Sequence, residues 1–176
     1  MGMNGAYATS MAGILVITTG GTIDKVYFDA KSDFEVGQSV VEELLREAHV
    51  GIDFEIIGLM RKDSLDLDDA DREQVRLAIE NAPKENQRVV ITHGTDTMTD
   101  TAQAIAATVA ARGATVVLTG ALSPARFAHS DATFNVGMAF AVAQCAQPGI
   151  YIVMNGQVFD GLAVRKDRAQ NQFIPL

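Results

Sequence analysis

The chain has 176 residues, 48% hydrophobic and 20% charged, with a formal net charge of −8. That is a globular composition, long enough to bury on the order of 70% of the unfolded surface. No run of about 18 apolar residues offers a membrane span, and the acidic balance argues against a nucleic-acid partner, whose phosphates require a basic surface.

Residues 1–12 read as an extension without a basic-then-apolar leader, and Cys145 is the single cysteine. Both features predict a cytoplasmic protein without an intrachain disulfide. Cys145 sits in an apolar context and is expected in the core, and His49, His93 and His129 are too scattered for a metal site.

Ile14–Ile17 is a short β-branched run that suits a strand buried on both faces. It ends in Thr-Thr-Gly-Gly-Thr22, where the glycines permit a sharp turn and close ligand approach. Val26–Phe28 and Asp33–Val36 predict a hairpin around the polar Asp29–Ser32 turn. Ser39-x-x-Glu42 has the form of a capping box before a helix carrying Val41, Leu44, Leu45 and Ala48. Ile52–Met60 reads as the second sheet strand, and Lys62–Asp71 as a polar loop capping the next helix with acids. Val75, Ala78, Ile79 and Ala82 mark that helix, which Pro83 stops.

Arg88–Thr92 is a short buried strand running into a second glycine- and hydroxyl-rich turn, His93–Thr97. A helix with Ala102, Ile105, Ala106 and Val109 on one face ends near Gly113. Ala114–Thr119 is a strand and Gly120–Pro124 a third turn. Asp131–Ala146 is an apolar helix expected to be covered on several sides, and Gly149–Met154 is read as the last strand.

Strands alternating with helices imply a three-layer α/β fold. Its sheet is mostly parallel with helices on both faces, Rossmann-like or flavodoxin-like, with a β-hairpin near the active site. One domain is expected over residues 1–176. The topology brings the glycine turns and the Lys62–Asp66 loop to one sheet edge, predicting a pocket lined by Thr22, Ser64, Thr95, Asp96 and Ala121. A threonine hydroxyl becomes a nucleophile only if a base takes its proton, and Lys166 and Tyr27 are the candidates for that work. Taken singly, each feature has a plainer reading. The glycine turn could be a tight connection or a phosphate loop, Thr97-x-x-Asp100 a helix cap, Lys166 a solvated charge, and His93 a hydrogen-bonded strand end.

The combination is more specific. Thr19-Gly-Gly-Thr-Ile23 with Ile91-Thr-His-Gly-Thr-Asp-Thr-Met98 closely resembles the two signatures of the bacterial-type L-asparaginase/glutaminase family. The resemblance extends to Val116–Ala121, Val153–Asn155 and Val158–Lys166, and covers the chain from about Ile14 against that family's N-terminal domain. It implies hydrolysis of L-asparagine to L-aspartate and ammonia through an acyl-threonine, with no cofactor and no metal. Thr22 would be the acylated nucleophile, and Thr95 with Asp96 and Lys166 the second catalytic group. Asp96 would also hold the α-amino group and Ser64 the α-carboxylate. Ala121 would place a backbone group near the amide, with Gly21, Leu65, Asp66 and Gly94 as further substrate-binding positions.

Two departures stand out. Phe34 replaces the tyrosine of the family's flexible loop, leaving Tyr27 as the substitute hydroxyl. Full-length members continue into a second domain that helps close a neighbour's site, whereas this chain resembles short, single-domain members. A homodimer or homotetramer with weak substrate affinity is expected. L-glutamine is the narrower alternative substrate, and a binding protein that kept the pocket without turnover is the alternative of a different class. A nucleotide-binding fold is disfavoured because the turn Gly20–Lys25 lacks the G-x-G-x-x-G pattern.

Overall fold

The strand β1 (Ile14–Gly20) is buried along its whole length, because it is paired on both edges and covered on both faces. The computed structural model describes residues 13–28, 33–85 and 87–176. The expected extension 1–12 and the Asp29–Ser32 turn lie outside the described residues. Successive side chains of β1 point to opposite faces. Ile14 and Val16 pack with α1 (Val41–Glu47) and α4 (Ala132–Cys145). Leu15 and Ile17 pack with α2 (Asp69–Asn81) and α3 (Met98–Arg112). This produces the three layers, and each such aliphatic side chain contributes about 1.5–3 kcal/mol on burial.

The six-stranded sheet has the order β4 (Phe54–Lys62), β1, β5 (Arg88–Thr92), β6 (Thr115–Thr119), β7 (Gly149–Met154), β8 (Gln157–Asp160). Its first five strands are parallel, and β8 runs antiparallel to β7. From β1 the chain moves outward to β4 and then crosses back to β5, so the strand order reverses between β1 and β5. Open α/β sheets bind ligands at the carboxyl ends of the strands flanking such a switch point. The hairpin of β2 (Lys25–Phe28) and β3 (Asp33–Val36) rises beside it, with Tyr27 directly across from Phe34.

The structure corrects several expectations. Gly149–Met154 is not the last strand, because β8 follows it, as do β9 (Val164–Asp167) and β10 (Gln172–Pro175), which pair as a hairpin. Asn155 and Gly156 both have positive φ, 51° and 78°, which is the two-residue hairpin turn that reverses the chain after β7. The Ser39–Glu42 capping box does not form. Val40 is the N-cap, its amide donates to Asp24 (3.0 Å), and Glu42 pairs with Arg46 instead (2.7 Å). β4 starts at Phe54 rather than Ile52. Helix α4 buries one face only. Phe134 and Cys145 lie on its open side, and the Cys145 thiol donates to the Ala141 carbonyl rather than packing in the core.

Candidate active site

At the end of β1, Gly20 and Gly21 turn the chain with φ of 102° and 85° into a single 3₁₀ turn, Thr22–Asp24. The Gly21 amide donates to the Lys62 carbonyl (2.9 Å), and a β-carbon on Gly21 would lie 2.5 Å from the Cα of Gly94. Only a glycine meets both demands, positive φ and backbone contact. A β-carbon on Gly94 would in turn lie 2.6 Å from both Cβ and Oγ of Ser64. Gly21, Gly94 and Ser64 are therefore stacked in direct contact, and Thr22 projects from this stack half-buried.

The strand-end threonines fasten the layer: Thr19 Oγ1 donates to the Thr92 carbonyl (2.9 Å) and Thr119 Oγ1 to the Val153 carbonyl (2.8 Å). Thr97 occupies the N-cap position of α3, but its hydroxyl donates to the Ser64 carbonyl (2.7 Å) instead of capping the helix. Ser64 itself is buried, at the start of a 3₁₀ turn whose N-cap, Asp63, accepts from the Leu65 amide (3.2 Å). Asp63 is also bridged by Lys25 (2.6 Å), which ties this loop to the base of the hairpin. Partial burial works against the Asp63 carboxylate, but the Lys25 ammonium and the Leu65 and Ser64 amides together hold its pKa below the ordinary value.

Lys166, on β9, has a side chain only 8% exposed, so the solvated-charge reading fails for it. Its Nζ donates to Thr95 Oγ1 (2.6 Å) and to Asp96 Oδ1 (2.8 Å). Thr95 is buried while Asp96 is a third exposed, so the group opens toward solvent at the carboxylate. Arg168 lies 3.9 Å from the same Asp96 oxygen and is itself 66% exposed. A hydroxyl, an amine and a carboxylate joined in this way can pass a proton and hold a cationic group.

His93 takes no part in that chemistry. Its Nδ1–H donates to the Gly94 carbonyl (2.7 Å), since a carbonyl only accepts, and Nε2 accepts from the Thr101 hydroxyl (2.7 Å). Burial pushes its pKa down to about 4, so the ring is neutral at pH 7 and props the second turn.

The third turn is held by groups that the sequence reading missed. Asp131 accepts from the Leu122 (3.0 Å) and Ser123 (3.0 Å) amides, and Asn135 Nδ2 donates to the Gly120 carbonyl (3.0 Å). The Ala125 amide donates to the Ile23 carbonyl (3.0 Å), joining this turn to the one bearing Thr22, and Ala121 within the turn is buried. The signal available was an acid seven residues after the turn and just before a helix, which a chain-order reading absorbs into the helix. The remaining candidates stand on the rim. Leu65 is 64% exposed, and Asp66 lines a groove of about 590 Å³ with Lys25, Phe34 and Lys62. The Tyr27 ring packs edge-on to Phe34 (5.3 Å), and its hydroxyl has no hydrogen-bond partner among the described residues.

Residues 13–173 match the family model described as Asparaginase, N-terminal. L-asparaginase 2 of Escherichia coli is 33% identical over 94% of this chain and 49% of its own length. The L-asparaginase of Thermococcus kodakarensis is 31% identical over 87% of this chain and 47% of its own. The crystal structure of L-asparaginase I from Vibrio cholerae superposes with a TM-score of 0.79 at 28% identity, covering 93% of this chain and 51% of that one. The chain thus spans about half the length of the relatives it matches.

Proposed function

The chain belongs to the asparaginase family, and from that premise we propose that it hydrolyses L-asparagine to L-aspartate and ammonia. The observation that carries this reading is the buried Lys166 donating to both Thr95 and Asp96, because a protein that only bound an amino acid would have no need of a proton path. Thr22 Oγ attacks the side-chain amide carbon and loses its proton, and the amide nitrogen leaves as ammonia. Water then attacks the Thr22 ester and releases aspartate. Thr95 and Lys166 move the protons, which requires Lys166 to pass through its neutral amine. Asp96 holds the α-ammonium and Ser64 the α-carboxylate. Gly21 and Gly94 supply backbone at close range, Ala121 faces the amide, and Leu65 and Asp66 border the mouth. Tyr27, on the hairpin, serves as the relay hydroxyl. L-Asparagine is preferred to L-glutamine, since an extra methylene displaces the amide and is worth about 1–3 kcal/mol. The test is mass spectrometry after mixing with an asparagine analogue. An adduct on the peptide bearing Thr22 supports the reading, and an adduct elsewhere, or none with turnover intact, removes Thr22 as the nucleophile.

The same reading includes self-association and a cytoplasmic location. Leu44, Ala48, Val50 and Ile52 with Phe140 and Ala141 line an apolar groove of about 290 Å³ between α1 and α4, and elsewhere on α4 Phe134 is 60% exposed. Such surface favours a homo-oligomer. A monomeric mass by light scattering at micromolar concentration contradicts it. No described helix is long and apolar enough to cross a membrane. The lone cysteine suits a reducing compartment, which cell fractionation tests.

A further inference from the structure

Asp24 is 1% exposed, and no step above uses it. We propose that Asp24 is a positioning residue that pins the nucleophile turn to the base of the β2–β3 hairpin, so that Thr22 and the hairpin move as one unit. Three hydrogen bonds converge on this residue. Its amide donates back to the Gly21 carbonyl (3.1 Å), which closes the turn around Thr22. Its carbonyl accepts from the Gly37 amide (2.9 Å), which joins the two ends of the hairpin. Its Oδ1 accepts from the Val40 amide (3.0 Å), which fixes the start of α1 to the same point. The Gly37 and Val40 bonds therefore hold the chain leaving the hairpin, while the Gly21 bond holds the turn that enters it.

Other ties of the hairpin to the body include the exposed Phe34–Phe127 ring contact (6.0 Å) and, at its base, the partly exposed Lys25–Asp63 bridge. Contacts of that kind are weak at a surface. The buried carboxylate is the stiff connection, because a hydrogen bond to an ionised acceptor is about twice as strong as a neutral one. Burial raises its pKa against the pull of Val40, Ser39 and Arg126, so the chain keeps an acid where an apolar residue would be simpler to bury. Buried groups that break a local rule of stability cluster at functional sites.

The catalytic half of this inference rests on Thr22 being the nucleophile, and the experiment separates the two. Amide hydrogen exchange at Gly37 and Val40 is measured in Asp24→Ala and Asp24→Asn beside steady-state kinetics on L-asparagine. Asp24→Ala is expected to speed exchange at both amides at least tenfold. It should also lower kcat per folded molecule about 10²-fold, the effect of an ångström of misplacement, while KM changes less than about threefold. Asp24→Asn keeps an acceptor oxygen for Val40 and should recover most of both. A merely structural residue would lower the folded yield but leave kcat per folded molecule intact, and that outcome overturns the proposal. Unchanged exchange at Gly37 and Val40 overturns it as well. If Asp24→Ala does not fold, Asp24→Ser, too short to reach the Val40 amide, carries the same expectation. A wild-type protein that hydrolyses no amide refutes the asparaginase reading, and the exchange measurement still decides whether Asp24 pins the hairpin.

Discussion

Among the described residues, removing the ammonium of Lys166 leaves the Asp96 carboxylate beside Thr95 with only Arg168, 3.9 Å away and mostly solvated, to balance it. Lys166→Met should therefore lower the rate of acylation by about 10²–10⁴, the usual contribution of a positioned proton-transfer group, and Thr95→Val by a similar factor. Because the two act through one hydrogen bond, the double variant should be little worse than either single one. Single-turnover kinetics check both points, and substantial activity in each single variant would return Lys166 to a structural role. His93 acts at a different level, on stability. Its pKa is depressed by burial from an ordinary 6.5 to about 4, so its contribution is complete above pH 6.5 and is lost as pH falls through 4. The loss should reach about 3 kcal/mol at most. The lowered carboxyls of Asp71, held by Lys62, and of Asp63 add further loss at lower pH. Urea unfolding at pH 7, 5.5 and 4 should show a falling midpoint, and a flat profile over that window would mean that the ring ionises without strain.

Among the elements, the first turn tolerates least. Gly21→Ala places a side chain at φ 85° and 2.5 Å from the Gly94 backbone. The conformation costs about 1–3 kcal/mol and the crowding about as much again, so the melting temperature should fall by several degrees or more. Turnover should fall with it, and calorimetry with kinetics on the same sample tests the pairing. On the hairpin, Tyr27→Phe keeps the edge-on ring contact with Phe34 and removes only the hydroxyl. It should cost far more turnover than Phe34→Leu, and small equal effects at both positions would make the hairpin a packing element. Much of this was legible in the sequence. Strands β1 and β5 were readable because burial on both faces writes a continuous β-branched run, and the glycine turns because nothing else fits there. The β7–β8 reversal is equally written in Asn155-Gly156, but a two-residue turn carries little weight beside a complete α/β alternation. Cys145 misled because α4 is apolar on its open side too, so composition gave no hint of which face is covered. The clamp at Asp24 and the brace at Asp131 were not legible, since they join segments through buried side chain-to-backbone bonds that leave no periodic trace.

For the molecule as a whole, the candidate site draws on the ends of β1, β4, β5 and β6 and on the β9–β10 hairpin, so it exists only when the complete sheet does. The centre of that sheet is occupied by β1, whose two partners lie far along the chain: Ile14 pairs with Phe54, and Leu15 with Val89. Non-local parallel pairing is slow, because the loop entropy is lost before the contacts form. In refolding from urea, helical signal should therefore return ahead of amide-hydrolysing activity, and activity should track the last kinetic phase; its recovery in the first phase would show that the site assembles from local structure alone. During synthesis at about 5–20 residues per second, the ribosome releases β1 several seconds before β5 can cover its second edge. For that interval the central strand is a nascent segment with one edge uncovered, a natural client for a chaperone, and the turn just beyond it bears Thr22, the hydroxyl proposed to react.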